Sequence, residues 1–154
     1  LRTRRQRQMC IRDSPDIVAA GDCTNHPNPL LGRNIRLESV PNASDQAKSA
    51  AASICGLDKV YSALPWFWSD QYDLKLQIAG LNQGYDDVVV RGDIAGSRSF
   101  AAYYLKEGRV IAVDCVNRPQ EFMTAKQALS KGLEFNTASL ADESIAPKEL
   151  VINE

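Results

Sequence analysis

Four strand signals follow one another between Leu74 and Val116, separated only by short turns, and this succession restricts the fold more than any other feature of the chain. Leu74-Lys75-Leu76-Gln77-Ile78 alternates apolar and polar residues with period two, as a half-buried strand does. Val88-Val89-Val90 is β-branched throughout, and Phe100 to Leu105 and Val110 to Val116 flank Glu107-Gly108, a hairpin signal. Asn82-Gln83-Gly84 and the segment from Gly92 to Ser97 read as turns. Asn117-Arg118-Pro119 then opens a helix whose apolar face carries Phe122, Ala125 and Leu129, with Gly132 as its stop. Strands joined by short turns and followed by a helix imply an α+β unit, an antiparallel sheet with helices on one side. A short helical turn is expected after Pro147.

Upstream, the stretch from Asp16 to Gln46 has a different character. Ile17-Val18-Ala19-Ala20 is short and apolar between Pro15 and Gly21, which predicts a buried strand. Asn25 to Arg33, with Pro27, Pro29 and Gly32, predicts a loop. A helix follows, with Ser39 as its cap and Pro41 in its first turn, where a missing N–H costs nothing. Ala43, Ala47, Ala50, Ala51 and Ile54 share one face, Asp45 and Lys48 pair on the wet side, and Gly56 ends it. In open α/β sheets, ligands sit at the carboxyl ends of strands and beside helix N-termini. This stretch offers both features, at Gly21-Asp22 and at Val40-Pro41.

A chain of 154 residues buries one core, or one small domain and part of another. No apolar run is long enough to span a bilayer, and no secretory signal is visible. Cys10, Cys23, Cys55 and Cys115 are widely spaced, form no metal pattern with the lone His26, and imply reduced thiols in a cytoplasmic protein. His26 is expected at the surface, and Cys23, Cys55 and Cys115 are expected to be packed and inert. The chain carries 18 basic and 19 acidic residues, and residues 1–14 hold five of the former and one of the latter. The remainder is therefore acidic, 13 against 18, and the basic character sits in one leader. That leader could be a basic arm, but its text resembles translated adapter sequence. It is expected to be a foreign end that makes no nucleic-acid or membrane contact.

Pro15-Asp16-Ile17-Val18-Ala19-Ala20-Gly21-Asp22-Cys23 resembles the second FAD fingerprint of the pyridine-nucleotide-dependent flavoprotein reductases. Arg36-Leu37-Glu38-Ser39-Val40-Pro41-Asn42-Ala43 and Pro65-Trp66-Phe67-Trp68-Ser69-Asp70-Gln71 narrow the resemblance to the FAD-dependent ferredoxin or rubredoxin reductases that serve oxygenases and cytochromes P450. It covers nearly everything from Pro15 onward. No Gly-x-Gly-x-x-Gly occurs, whereas the family has two upstream, one for FAD and one for NAD(P)H. The resemblance thus implies a C-terminal part that lacks the N-terminal FAD and NAD domains. It would comprise residues 15–62 as a strand-loop-helix remnant of the α/β FAD-binding domain and residues 63–154 as the reductase C-terminal α+β domain.

The same resemblance implies roles for particular residues. Asp22 would accept hydrogen bonds from ribityl hydroxyls, Gly21 would let the backbone approach, and Val40 with Pro41 would aim the helix N-terminus at the flavin pyrimidine edge. Trp68 would lie against the isoalloxazine, near where the iron–sulfur partner docks, and Lys48 would help to seat that partner in place of a common arginine, without the bidentate fork. On the residues alone, Asp22 is equally a turn aspartate, Val40 opens an ordinary capped helix, the tryptophans are packing aromatics and Lys48 is a solvated lysine. Glu38 has a supporting role at most. No catalytic acid, base or metal ligand is expected, because the cofactor carries the chemistry. The rival expectation is a cofactor-free α+β domain that uses its sheet for interaction or dimerisation.

Overall fold

The computed structural model describes residues 17–57 and 59–152, so the expected leader lies outside the described residues. The chain divides into two compact units, one up to Pro65 and the other from Trp66 on.

The second unit is built on a five-stranded antiparallel sheet. Its strands are β3 (Trp66–Gln71), β4 (Leu74–Gly80), β5 (Asp87–Gly92), β6 (Phe100–Lys106) and β7 (Arg109–Val116), in the spatial order β3-β4-β7-β6-β5. Every neighbouring pair is antiparallel. The β6–β7 hairpin turns at Glu107-Gly108, and both residues have positive φ, the backbone a two-residue turn needs to match strand twist. Gly80 also has positive φ, and a Cβ there would collide with the Ile111 carbonyl, so β4 meets β7 this closely only because the residue is glycine.

Helix α2 (Pro119–Lys131) packs on one face of this sheet. It begins at Pro119 and ends at Gly132 in the left-handed conformation, whose N–H closes on the Ala128 and Leu129 carbonyls. Its buried residues are Glu121, Phe122, Ala125 and Ala128, and the apolar three meet the face that carries Ala101, Tyr103, Val113 and Cys115. Leu129, expected on that face, is only half-buried. After the helix come β8 (Glu134–Phe135), a 3-10 turn at Pro147–Leu150, and β9 (Val151–Ile152), which pairs back with β8. Leu140 and Leu150 are fully buried beneath this closing segment. The α+β class and the antiparallel sheet with helix on one side are as the strand signals imply.

The first unit departs further from expectation. Ile17 to Ala20 is not a strand: no ladder partner meets it among the described residues, and an isolated extended segment cannot satisfy its own backbone. The expected loop from Asn25 to Arg33 instead contains a small hairpin, β1 (His26–Asn28) against β2 (Arg33–Ile35). Asn28 stabilises the bend by accepting the Leu31 N–H at its own side-chain oxygen.

Helix α1 (Val40–Ile54) forms where expected, with Ser39 as cap, its hydroxyl accepting the Asn42 N–H, and Gly56 beyond its end at positive φ. Its buried residues are Pro41, Asn42, Gln46, Ser49 and Ala50. Ala47, Ala51 and Ile54, placed on the packed face by periodicity, are exposed. The helix is rotated because Asn42 and Gln46 turn inward to satisfy backbone and side-chain groups of the loops. An unmet buried donor costs more than an exposed alanine gains by burial.

Candidate functional site

Gly21 and Asp22 sit on the first turns of α1. Gly21 adopts φ 88°, a conformation that favours glycine, and its Cα side faces Ala43 at ordinary contact distance. The Gly21 N–H donates to Gln46 Oε1 at 2.7 Å, and the Thr24 hydroxyl lies 2.9 Å from the same oxygen and 2.8 Å from the Gly21 carbonyl. Arg36 Nε donates to the Asp22 carbonyl at 3.0 Å, and the same guanidinium pairs with Glu38. The Asp22 backbone is therefore held from two directions while its side chain stays exposed. Glu38 reaches this turn only at one remove, through Arg36.

The N-terminus of α1 lies beside this turn. Val40 is 65% exposed, Pro41 is buried beneath it, and the first turn of the helix contains no acidic residue. The positive end of the helix dipole is thus uncompensated by the helix itself. Gly21 meets α1 at Ala43, three residues after Val40. Lys48 lies about two turns further along α1, where its Nζ is 2.8 Å from Asp45 and mostly exposed.

Beneath the turn is a polar core that sequence reasoning missed. His26 was expected at the surface, but it is fully buried, because its Nδ1 lies 2.8 Å from Gln46 Nε2 and its ring meets Tyr61 edge-on at 5.0 Å between centroids. Burial lowers its pKa from the ordinary imidazole value. The Tyr61 hydroxyl donates to Asn42 Oδ1 at 3.0 Å, and Asn42 Nδ2 donates to the Leu37 carbonyl. Burial, with Asp45 as a smaller cause, pushes the Tyr61 phenol up to about 12, so it remains a donor. One signal was available in the sequence: Asn42 and Gln46 stand at i and i+4 on a helix, hence on one face.

Cys23 and Cys55 are exposed rather than packed, since one lies in the turn after Asp22 and the other caps the end of α1. Cys115 is buried in the sheet as expected, and burial raises its thiol to about 12, which leaves it unreactive.

Trp68 belongs to the second unit, on β3. It is 39% exposed and stacks on Trp66 at 5.5 Å between centroids. Lys126 Nζ from α2 lies 3.6 Å from the centre of the Trp66 ring, and Phe122 packs against the same ring at 5.9 Å. Trp66 is thereby fixed between helix and sheet, and it presents Trp68 as a supported aromatic surface.

The Reductase C-terminal family matches residues 66–151, which is the sheet with α2 and the closing segment. The chain belongs to this family. Over 144 residues it is 45% identical to a 5,5'-dehydrodivanillate O-demethylase ferredoxin reductase subunit of Sphingobium sp., covering 93% of this chain and 35% of that protein. It is 46% identical over 137 residues to putidaredoxin reductase CamA of Pseudomonas putida, covering 89% of this chain and 32% of the relative. Among solved structures, it resembles the reductase in the covalent putidaredoxin reductase–putidaredoxin complex, with a TM-score of 0.82 and 46% identity over 87% of this chain and 32% of that one. The ferredoxin reductase for the CYP199A2 system of Rhodopseudomonas palustris gives a TM-score of 0.82 at 41% identity, over 88% of this chain and 33% of that one. The chain spans about a third of the length of these relatives.

Proposed function

We propose that this chain is the C-terminal part of an FAD-dependent reductase that passes electrons from NAD(P)H to a ferredoxin- or rubredoxin-type iron–sulfur protein. The observation that carries the reading is the Gly21–Asp22 turn held against the exposed N-terminus of α1. It supplies an exposed carboxylate and an uncompensated helix end side by side, in a chain whose other unit belongs to the Reductase C-terminal family. The names of the relatives, ferredoxin reductase subunit and putidaredoxin reductase, support the same acceptor class.

The residues present fit a flavin. The Asp22 carboxylate would accept hydrogen bonds from ribityl hydroxyls, and Gly21, at positive φ and without a side chain, would let the backbone approach them. Val40 and Pro41, at the positive end of α1, would favour negative charge at the pyrimidine edge by about 1 kcal/mol. Bound FAD would supply a hydride acceptor for NAD(P)H and a one-electron donor for the iron–sulfur protein. This chain's part is to bind, orient and bias the charge state, and none of its groups is required to move a proton. Trp68 would provide the aromatic wall on the partner's side, and Lys48 an electrostatic contact for an acidic partner that is weakened by its pairing with Asp45.

The test is to purify the protein in which this sequence follows its FAD- and NAD-binding domains. It should be yellow and should oxidise NADH or NADPH when a [2Fe–2S] ferredoxin is supplied. A colourless protein with no nucleotide oxidation contradicts the reading.

A further inference from the structure

We infer that Gln46 is a positioning residue: its side-chain amide ties the Gly21–Asp22 turn to α1, and His26 behind it fixes which way round the amide points. The functional consequence, a constant spacing between the Asp22 carboxylate and the N-terminal turn of α1, rests on the flavin reading given above. The tie itself does not.

The direction of each bond follows from what each group can do. The Gly21 N–H can only donate, so the Gln46 atom 2.7 Å from it is the amide oxygen. The amide nitrogen then faces His26 Nδ1 at 2.8 Å. An NH2 group only donates, so Nδ1 accepts, and the proton of the neutral imidazole sits on Nε2. Nε2 is buried and has no hydrogen-bond partner among the described residues. Four residues earlier on α1, Asn42 makes a parallel connection between the Tyr61 hydroxyl and the Leu37 carbonyl just before the cap. The two amides together set the turn, the cap and the first turns of the helix in one register.

The arrangement disfavours a charged His26. An imidazolium would point its Nδ1–H at the Gln46 NH2. Rotating the amide would relieve that clash but would turn its NH2 toward the Gly21 N–H. Either state leaves two donors facing each other in a buried site. Among the described residues, the titratable group that faces His26 is Tyr61, which stays protonated, with Asp45 of α1 acting on Tyr61. Burial of the ring lowers the pKa of His26, so the neutral form and the tie persist below the usual imidazole range.

The experiment is NMR of the 15N-labelled 154-residue chain across pH, comparing wild type with Gln46→Glu and Gln46→Leu. In wild type, His26 should be the Nε2-protonated tautomer, and the Gly21 amide should titrate with it at a shared midpoint below 6.5. In Gln46→Glu, one carboxylate oxygen still accepts from Gly21 and the other faces Nδ1, so the His26 midpoint should rise by about one pH unit or more while Gly21 keeps its shift. In Gln46→Leu, the Gly21 amide should lose its dependence on His26. A wild-type Gly21 amide that ignores His26, or a midpoint that Gln46→Glu leaves in place, would overturn the inference. No step uses flavin, so failure of the reductase to hold FAD would remove the proposed function and leave this result standing. Loss of the coupling would do the reverse.

Discussion

Arg91 and Glu121 meet inside the second unit, guanidinium Nε 3.4 Å from carboxylate Oε1, with both side chains at most 6% exposed. The remaining Arg91 donors reach the carbonyls of Leu140, Asp142 and Ile145, so one strand residue holds both α2 and the closing segment. Arg118, 3.2 Å from the same Glu121 oxygen, shares the carboxylate. Arg91→Leu should destabilise the unit by about 3–5 kcal/mol, because it leaves Glu121 and three carbonyls short of a donor in a buried site. Urea unfolding measures this, and a loss below about 1 kcal/mol would mean that the bonds are dispensable.

Asp114 predicts a pH dependence of the opposite sign to most carboxylates. Burial raises its pKa, although the Tyr104 hydroxyl donates to it at 2.8 Å, and its other oxygen is buried without a partner among the described residues. The native state therefore binds this proton more tightly than the unfolded chain does. That contribution is fully present below the unfolded value and is lost as pH rises through the folded one. Asp114→Asn should gain stability relative to wild type between pH 3 and pH 7. Melting temperatures across that range check it, and a difference that stays flat with pH would contradict the cause given.

Trp68 should matter for delivery rather than for holding the cofactor. Its ring is partly exposed and braced by Trp66, which Lys126 and Phe122 pin from α2. In the reductase proposed above, Trp68→Ala should retain FAD and slow reduction of the proposed iron–sulfur partner more than reduction of a small dye. Equal slowing with both acceptors would place Trp68 outside the delivery surface.

The sheet of the second unit was legible because its determinants are local. The alternation in Leu74–Ile78 and the Glu107-Gly108 turn each act within a few residues, and so do the Ser39 cap and the Gly132 stop. The interior of the first unit was not legible because its partners are remote. His26 looks like a surface histidine until Gln46, 20 positions on, turns inward to meet it. The alanine periodicity of α1 named Ala50 correctly but not Ala47, Ala51 or Ile54, because the polar contacts of Asn42 and Gln46 set the helix rotation. Cys23 and Cys55 are exposed for a related reason: each belongs to a turn whose geometry, not its hydrophobicity, decides where the thiol points. A turn at Gly21-Asp22 and a helix start at Val40-Pro41 were legible in the sequence, while the groups that hold that turn against the helix were not.

The most direct test of a flavin site on the first unit is FAD occupancy of the proposed full-length reductase with Asp22→Ala, against Cys23→Ala as an exposed neighbour. Losing charge-assisted bonds worth about 1.5–3 kcal/mol should weaken FAD binding by roughly ten- to a hundredfold in Asp22→Ala. Cys23→Ala should leave it unchanged. Wild-type flavin content and affinity in Asp22→Ala would contradict the account.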